Sequence, residues 1–148
     1  MSHTSVIKTV QVRDIAALQQ AVANLQNKGI KCSLVEKASP RMYYNNQAGT
    51  CEYVLKLHDG RYDVGFKAEA DGTYAVVYDE WDNNVGKFLT NRACPLPTTA
   101  EERSMHQIGL FSQEYAKEAA RNAAVAQGYF VESEEVDEQG NVHLTLIN

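Results

Sequence analysis

Two Asp-Gly pairs divide the middle of the chain into three segments that have the composition of β-strands. The pairs are Asp59-Gly60 and Asp71-Gly72, and the segments are residues 51–58, 62–68 and 73–80. Asp-Gly is typical of two-residue hairpin loops, because a type I′ turn requires positive φ at both of its central residues. We therefore expect an antiparallel meander at the centre of the fold.

The segment before the meander predicts a strand, a helix and a second strand. Residues 5–12 are β-branched and partly alternating, which favours a strand. Asp14 can cap a helix that ends at Gly29, where glycine adopts the left-handed conformation without steric cost. Residues 30–38 form the next strand candidate, followed by a turn-rich loop over 39–49. The apolar residues of the helix recur at helical spacing and are Ile15, Leu18, Val22 and Leu25.

The segment after the meander predicts a connecting loop over 81–97, a helix over 110–127 and a hairpin of strands 129–136 and 142–147. The apolar stripe of this helix consists of Phe111, Tyr115, Ala119, Ala123 and Ala126. The order of elements is β-α-β-β-β-β-α-β-β within a single domain, residues 1–148. The sequence therefore predicts an α+β fold, with a single antiparallel sheet and two main helices packed on one face.

Charge and cysteine content disfavour several functional classes. The net charge is −5, and five of the 19 acidic residues lie between Glu132 and Glu138. No Lys/Arg cluster is present to bind a phosphate backbone, so nucleic-acid binding is not expected. No apolar run reaches the roughly 18 residues that a membrane helix needs. The three cysteines form no Cys-x-x-Cys pair, which favours a reducing, cytoplasmic compartment.

Several short motifs along the chain resemble the corresponding motifs of an uncharacterised protein family. Those motifs are Met1-Ser2-His3, Ile7-Lys8-Thr9, Gly60-Arg61-Tyr62-Asp63-Val64-Gly65-Phe66, Tyr78-Asp79-Glu80-Trp81, Gln113-Glu114-Tyr115-Ala116 and Gln127-Gly128-Tyr129-Phe130. Together they resemble a conserved open-reading-frame family of cyanobacteria and algal plastid genomes, a domain of unknown function. The segments over residues 40–49 and 82–103 are longer here than the corresponding segments of that family. The resemblance implies a cytoplasmic or plastid-stromal protein and supplies no catalytic residues.

One enzymatic alternative is open at this point. His3 with Ser5, and His143 with Thr145, give two His-x-Ser/Thr patterns on the first and last predicted strands. This arrangement resembles that of two-histidine phosphoesterases, in which one imidazole is the base, the other is the acid and the hydroxyls hold phosphate oxygens. The alternative requires both strands to be central and adjacent in one sheet.

Motifs for metal or cofactor chemistry are missing from the sequence. There is no His-Glu-x-x-His pair, no Asp-rich calcium loop and no glycine-rich phosphate loop. Asp79, Glu80 and Asp82 surround Trp81, but adjacent carboxylates on a strand point to opposite faces. We therefore assign no metal, no cofactor and no catalytic residue outside the histidine alternative.

The abundance of tyrosine favours a binding role over an enzymatic one. Tyr and Trp combine a large apolar face with a polar tip, and they are enriched at interfaces. We expect Arg61, Tyr62, Trp81 and Tyr115 to contribute to a binding surface on the uncovered face of the sheet. The leading hypothesis is a small accessory protein that docks a partner protein or a small ligand there, and that can also form a homodimer.

Overall fold

The computed structural model describes residues 4–44, 47–139 and 141–148, with side chains from residue 11 onward. The strands are β1 (Thr4–Val12), β2 (Cys32–Ala38), β3 (Cys51–Leu57), β4 (Val64–Ala68), β5 (Tyr74–Asp79), β6 (Phe130–Val136) and β7 (Val142–Ile147). The helices are α1 (Ile15–Asn27), α2 (Gly86–Leu89), α3 (Ala100–His106) and α4 (Gly109–Ala126), with a 3₁₀ turn over Trp81–Asn83.

The first five strands form one antiparallel sheet in the order β1-β5-β4-β3-β2. The predicted α+β class, the meander and the order of strands and main helices are therefore confirmed. The prediction of a single sheet needs a correction, because β6 and β7 form a separate two-stranded sheet. This hairpin follows α4 directly and contacts that helix, so it lies against α4 and adds no strand to the large sheet. No helix in the described part of the chain is long and apolar enough to cross a membrane.

Helix α1 forms where the capping and apolar spacing predict it. The carboxylate of Asp14 accepts the backbone N–H of Ala17 at 3.0 Å, which satisfies one of the free amides of the first turn. Gly29 follows the helix with a φ of 92°, the left-handed conformation that favours glycine. The buried residues of the helix are Ala17, Leu18, Ala21, Val22 and Leu25.

The main core lies between the helices and one face of the large sheet. Phe66 of β4 and Phe111 of α4 pack at a centroid distance of 5.2 Å, and Phe111 stacks on Tyr115 at 6.1 Å. The sheet residues of this core alternate along each strand, as expected for a sheet with one face against helices. They include Leu55, Leu57, Val64, Phe66, Val76 and Tyr78.

The face of the sheet opposite to the helices is covered at its centre by the β2–β3 connection. A Cβ atom added to Gly65 of β4 would lie 3.0 Å from Cγ of Pro40, which places Pro40 directly on the sheet. Met42 is buried, and so is Val54 on the same side of the sheet. The expectation of an open second face is therefore wrong here, because burying the apolar side chains of this long connection removes the face from solvent.

An ion pair holds the connection in place. Nη2 of Arg41 lies 2.8 Å from Oδ1 of the buried Asp63, and the backbone N–H of Arg41 donates to Oδ2 at 2.8 Å. Asp63 also accepts the backbone N–H of Leu57 at 3.2 Å. Because each oxygen of this buried carboxylate has partners, its desolvation is compensated.

The interface between α1 and α4 is more polar than its sequence suggests. Glu114 and Glu118 of α4 are buried, and the side-chain amide of Asn24 donates to both carboxylates at 3.0 and 3.1 Å. Lys117 lies 2.7 Å from Glu114. The predicted stripe of α4 is thus wrong at its end, since Ala123 and Ala126 are exposed. Paired glutamates replace apolar residues on this face.

Two local predictions differ from the structure. The β3–β4 connection is longer than a type I′ turn, and Gly60 does not have a positive φ. Glycine is needed there for space, because a Cβ atom at Gly60 would lie 2.8 Å from Cε2 of Phe88. The expected loop over 81–97 contains the 3₁₀ turn and α2, where the buried Val85 and Leu89 join the main core.

Candidate functional site

Three aromatic side chains form an exposed cluster at the end of β5, which we call the aromatic cluster: Tyr43, Tyr44 and Trp81. The rings of Tyr43 and Tyr44 meet edge to face at a centroid distance of 4.9 Å, and those of Tyr43 and Trp81 at 5.8 Å. Their exposed fractions are 50%, 63% and 37%. Edge-to-face packing of this kind is favourable beyond the area it buries, so the rings hold one another in position.

A buried carboxylate joins the two chain segments that carry the aromatic cluster. Asp79, the last residue of β5, is completely buried. Its Oδ1 accepts the backbone N–H of Trp81 at 2.9 Å, and its Oδ2 accepts the backbone N–H of Tyr43 at 3.1 Å. Hydrogen bonds to an ionised group are stronger than neutral ones, and both partners are backbone groups. The positions of Tyr43 and Trp81 are therefore set by the backbone as well as by ring contacts.

The turn after Trp81 contains two left-handed residues. Asp82 and Asn83 both have φ of 53°, and neither is glycine. Asn84 stabilises this turn, because its side-chain amide donates to the carbonyl oxygen of Trp81 at 2.9 Å. Such backbone conformations cost energy and are concentrated at functional sites. The conformation of this turn therefore helps to fix the position of Trp81.

Two of the residues predicted to bind a partner lie at the same corner as Trp81. The Tyr62 ring is buried, and desolvation raises the pKa of its phenol, with a further increase from Asp79 and an opposing effect from Arg61. Tyr43 and Asp82 also act on this phenol. Tyr62 is therefore part of the buried core and not of the exposed surface, while Arg61, its neighbour in the chain, is exposed.

Tyr115 lies elsewhere and has a structural role. It is buried, and its hydroxyl oxygen accepts the backbone N–H groups of Arg13 and Asp14 at 2.9 and 3.0 Å. This site is at the start of α1, near the end of β5 that carries Tyr74, since Val12 pairs with Tyr74. Trp81 follows the opposite end of β5. The structure thus does not bring Tyr115 to the proposed binding surface.

The histidine alternative loses the geometry that it requires. His3 lies outside the described residues, whereas Ser5 lies on β1 and His143 with Thr145 on β7. β1 is an edge strand of the large sheet, and β7 belongs to the separate hairpin. Nε2 of His143 lies 3.0 Å from Oδ2 of Asp137, an interaction within the hairpin turn. The two strands are neither central nor adjacent, so the described part of the chain does not meet the requirement of this alternative.

Tyr43 and Tyr44 were not among the residues predicted to bind a partner. They fall in a turn-rich segment without periodicity, and the contact that brings them to Trp81 spans 36 positions along the chain. The adjacent pair of tyrosines in an otherwise polar loop is the one signal that could have identified them. Single exposed apolar residues are common on protein surfaces, whereas contiguous exposed patches mark interaction sites.

Three cavities lie apart from the aromatic cluster. A cavity of about 760 Å³ is formed between α3, α4 and the turn of the β6–β7 hairpin, and its lining includes Cys94 and His106. Two others, of about 430 and 580 Å³, lie beside β5 and between α1 and β2. None of these three is lined by the aromatic cluster. Among the described residues, no group of three or more His, Cys, Asp or Glu side chains is placed to hold a metal ion.

Comparison with known proteins identifies a family but no characterised relative. The sequence profile of a family described as "Protein of unknown function (DUF1257)" matches residues 24–145. This range contains every residue of the aromatic cluster as well as Asp79 and the terminal hairpin up to Thr145. No curated protein and no solved structure matches the chain.

Proposed function

The chain belongs to the DUF1257 family, and we propose that it is a non-enzymatic binding protein that docks a partner protein through Tyr43, Tyr44 and Trp81. The observation that carries this proposal is the exposure of three large aromatic rings that are fixed in position. Interface energy is concentrated in a few anchoring residues, among which Trp and Tyr are enriched. Anchors that are held in place before binding lose little conformational entropy when the complex forms.

The shape of the aromatic cluster favours a protein partner over a small ligand. Small-molecule sites are concave and bury most of the ligand. The three cavities described above have other linings, and the rings of the aromatic cluster are between about a third and two-thirds exposed. Exposed rings bordered by polar groups match the centre and rim of a protein interface.

Charged residues beside the aromatic cluster provide the rim of the proposed interface. Arg61 and Asp82 are exposed and carry opposite charges; Asp82 directly follows Trp81 in the chain, and Arg61 directly precedes the buried Tyr62. Rim charges of this kind select partners and accelerate encounter more than they increase affinity. Arg61 therefore belongs to the proposed surface as a residue that contributes to specificity.

The proposal includes a cytoplasmic or plastid-stromal location and no nucleic-acid partner. All three cysteines are free thiols, which fits a reducing compartment. The net charge of −5 does not favour contact with a phosphate backbone.

Site-specific photo-crosslinking in the source organism tests the proposal. Tyr44 is replaced by p-benzoyl-phenylalanine, and a matched control carries the same group at Leu96, which is 76% exposed and is not part of the aromatic cluster. We expect a discrete crosslinked partner from position 44 that is lost when Trp81→Ala is added and is missing from position 96. The same crosslinks from both positions, or none from position 44, would overturn the proposal.

A further inference from the structure

The β6–β7 hairpin presents outer strand edges that pair with no other strand in the described structure. The hairpin is a two-stranded sheet, and its contacts with other elements are mainly with α4. An unpaired edge displays free backbone N–H and C=O groups that can accept another strand. A two-stranded hairpin is also marginal in stability unless something packs on it or extends it.

The two edges of the hairpin differ in how they are protected. β6 carries Glu132, Glu134 and Glu135, and its pairing is irregular between Val131 and Ser133. Charge and irregular pairing are two of the features by which proteins keep an edge strand from pairing. β7 has the sequence Val-His-Leu-Thr-Leu-Ile, with no acidic residue, lysine, arginine or proline. The extra residue of the irregular pairing lies on β6, because Val131 and Ser133 pair with the consecutive residues Leu146 and Thr145 of β7.

The edges of the large sheet are protected in the same way as β6. β1 contains Lys8 in its sequence, and its register shifts between Ile7 and Val12. β2 contains Glu36 and Lys37, and Lys37 has a left-handed φ of 50°. Among the four strand edges of the described chain, β7 is therefore the one whose sequence contains no Asp, Glu, Lys or Arg.

We infer that the outer edge of β7 pairs with the β7 strand of a second copy of this chain. The result is a four-stranded antiparallel sheet in the order β6-β7-β7-β6. Antiparallel pairing about Leu144 places Val142 opposite Leu146 of the second copy on the same side of the sheet, so apolar residues meet apolar residues. Leu146 is 41% exposed in the single chain, so it gains contacts in this pairing.

The charge distribution of the hairpin favours pairing between the β7 strands of two copies. The acidic residues lie on β6 and in the turn, whereas β7 carries none. In the paired sheet the two β6 strands occupy the outer positions, three strand spacings or about 14 Å apart. This separation exceeds the Debye length of about 8 Å at physiological ionic strength, so repulsion between the acidic strands is screened. An approach through β6 would bring the acidic strands together.

This inference concerns a different surface from the aromatic cluster and does not depend on the proposed function. Its test compares Thr145→Lys with Ser133→Lys. Ser133 and Thr145 are paired directly across the hairpin and both are exposed, so the two variants add the same side chain to neighbouring positions of one sheet. Only Thr145→Lys lies on the pairing edge, where lysine opposes strand addition.

Sedimentation velocity over a wide range of protein concentration provides the main readout. We expect the wild-type chain and Ser133→Lys to change from a mass of 16.5 kDa to twice that value as concentration rises. For Thr145→Lys we expect the dimer dissociation constant to rise by roughly fivefold or more, because a lysine on an edge strand opposes the addition of another strand. A wild-type chain that stays monomeric throughout, or equal association of the two variants, would overturn the inference.

Amide hydrogen exchange on the wild-type chain gives a second readout that does not depend on the folding of a variant. We expect the protection of backbone amides in β7 to increase with protein concentration, while amides of β6 remain unchanged. Protection of β7 that is independent of concentration would contradict pairing through this edge.

Discussion

Asp79 and Tyr43 are 36 positions apart in the sequence, and the buried carboxylate of Asp79 accepts the backbone N–H of Tyr43 at 3.1 Å. The same carboxylate accepts the N–H of Trp81. One side chain therefore connects the long β2–β3 connection to the turn after β5. The relative placement of the exposed rings depends on this contact.

Replacing Asp79 should loosen the aromatic cluster. Asp79→Ala leaves the amides of Tyr43 and Trp81 without their acceptor, and each unsatisfied buried group costs about 1–3 kcal/mol. We expect a lower free energy of unfolding in urea and faster quenching of Trp81 fluorescence by acrylamide. Trp81 is the chain's single tryptophan, so the fluorescence reports on this site directly.

Asp59→Ala is the matched control for this experiment. Asp59 is exposed, and its nearest ionic partner is Lys31 at 3.9 Å. Surface substitutions of this type change stability by less than about 0.5 kcal/mol. If the acrylamide quenching of Trp81 and the free energy of unfolding are the same in Asp79→Ala as in Asp59→Ala, the Asp79 contacts do not position the rings.

Tyr115→Phe separates a structural tyrosine from those of the proposed surface. The substitution removes the oxygen that accepts the amides of Arg13 and Asp14. We expect a loss of roughly 1–3 kcal/mol in the free energy of unfolding, measured by urea denaturation. Partner crosslinking from position 44 should be unchanged. Reduced crosslinking in a stably folded Tyr115→Phe chain would mean that Tyr115 contributes to binding after all.

The turn of the β6–β7 hairpin should be sensitive to acid. The hydrogen bond from His143 and the backbone N–H groups of Asn141 and Gln139 lower the pKa of Asp137 from 3.8 to about 2. Because the folded-state pKa is the lower one, the stabilisation is present above pH 3.8 and is lost as pH falls from 3.8 to about 2.

Nuclear magnetic resonance titration of the Asn141 amide measures this effect. Its N–H donates to Oδ1 of Asp137 at 2.9 Å, so its chemical shift follows the charge of the carboxylate. We expect a midpoint near pH 2, and no such transition in Asp137→Asn. A midpoint at the ordinary pKa of aspartate would show that these hydrogen bonds do not form.

Sequence patterns predicted the helices and strands that are determined by residues close together in the chain. Helix α1 was recognisable because Asp14 caps it and its apolar residues share one face, and the Asp-Gly pairs correctly indicated the meander. The type of turn at Asp59-Gly60 was not predictable, since the position of Gly60 depends on the approach of the distant Phe88.

Contacts between distant segments account for what the sequence did not reveal. The predicted stripe of α4 did not include Glu114 and Glu118, yet both are buried, and the side-chain amide of Asn24 of α1 donates to both carboxylates. Coverage of the second face by Pro40 and Met42 likewise depends on the ion pair between Arg41 and Asp63. The aromatic cluster follows from the same kind of long-range contact, through Asp79.

The affinity of the crosslinked partner for Trp81→Ala tests the central claim most directly. Isothermal titration calorimetry with the wild-type chain, Trp81→Ala and the exposed-residue control Leu96→Ala gives three dissociation constants. Loss of an anchoring tryptophan costs about 2 kcal/mol or more, so we expect Trp81→Ala to bind at least roughly 30-fold more weakly, and Leu96→Ala to bind like the wild type. Equal affinities for all three chains would contradict docking through the aromatic cluster.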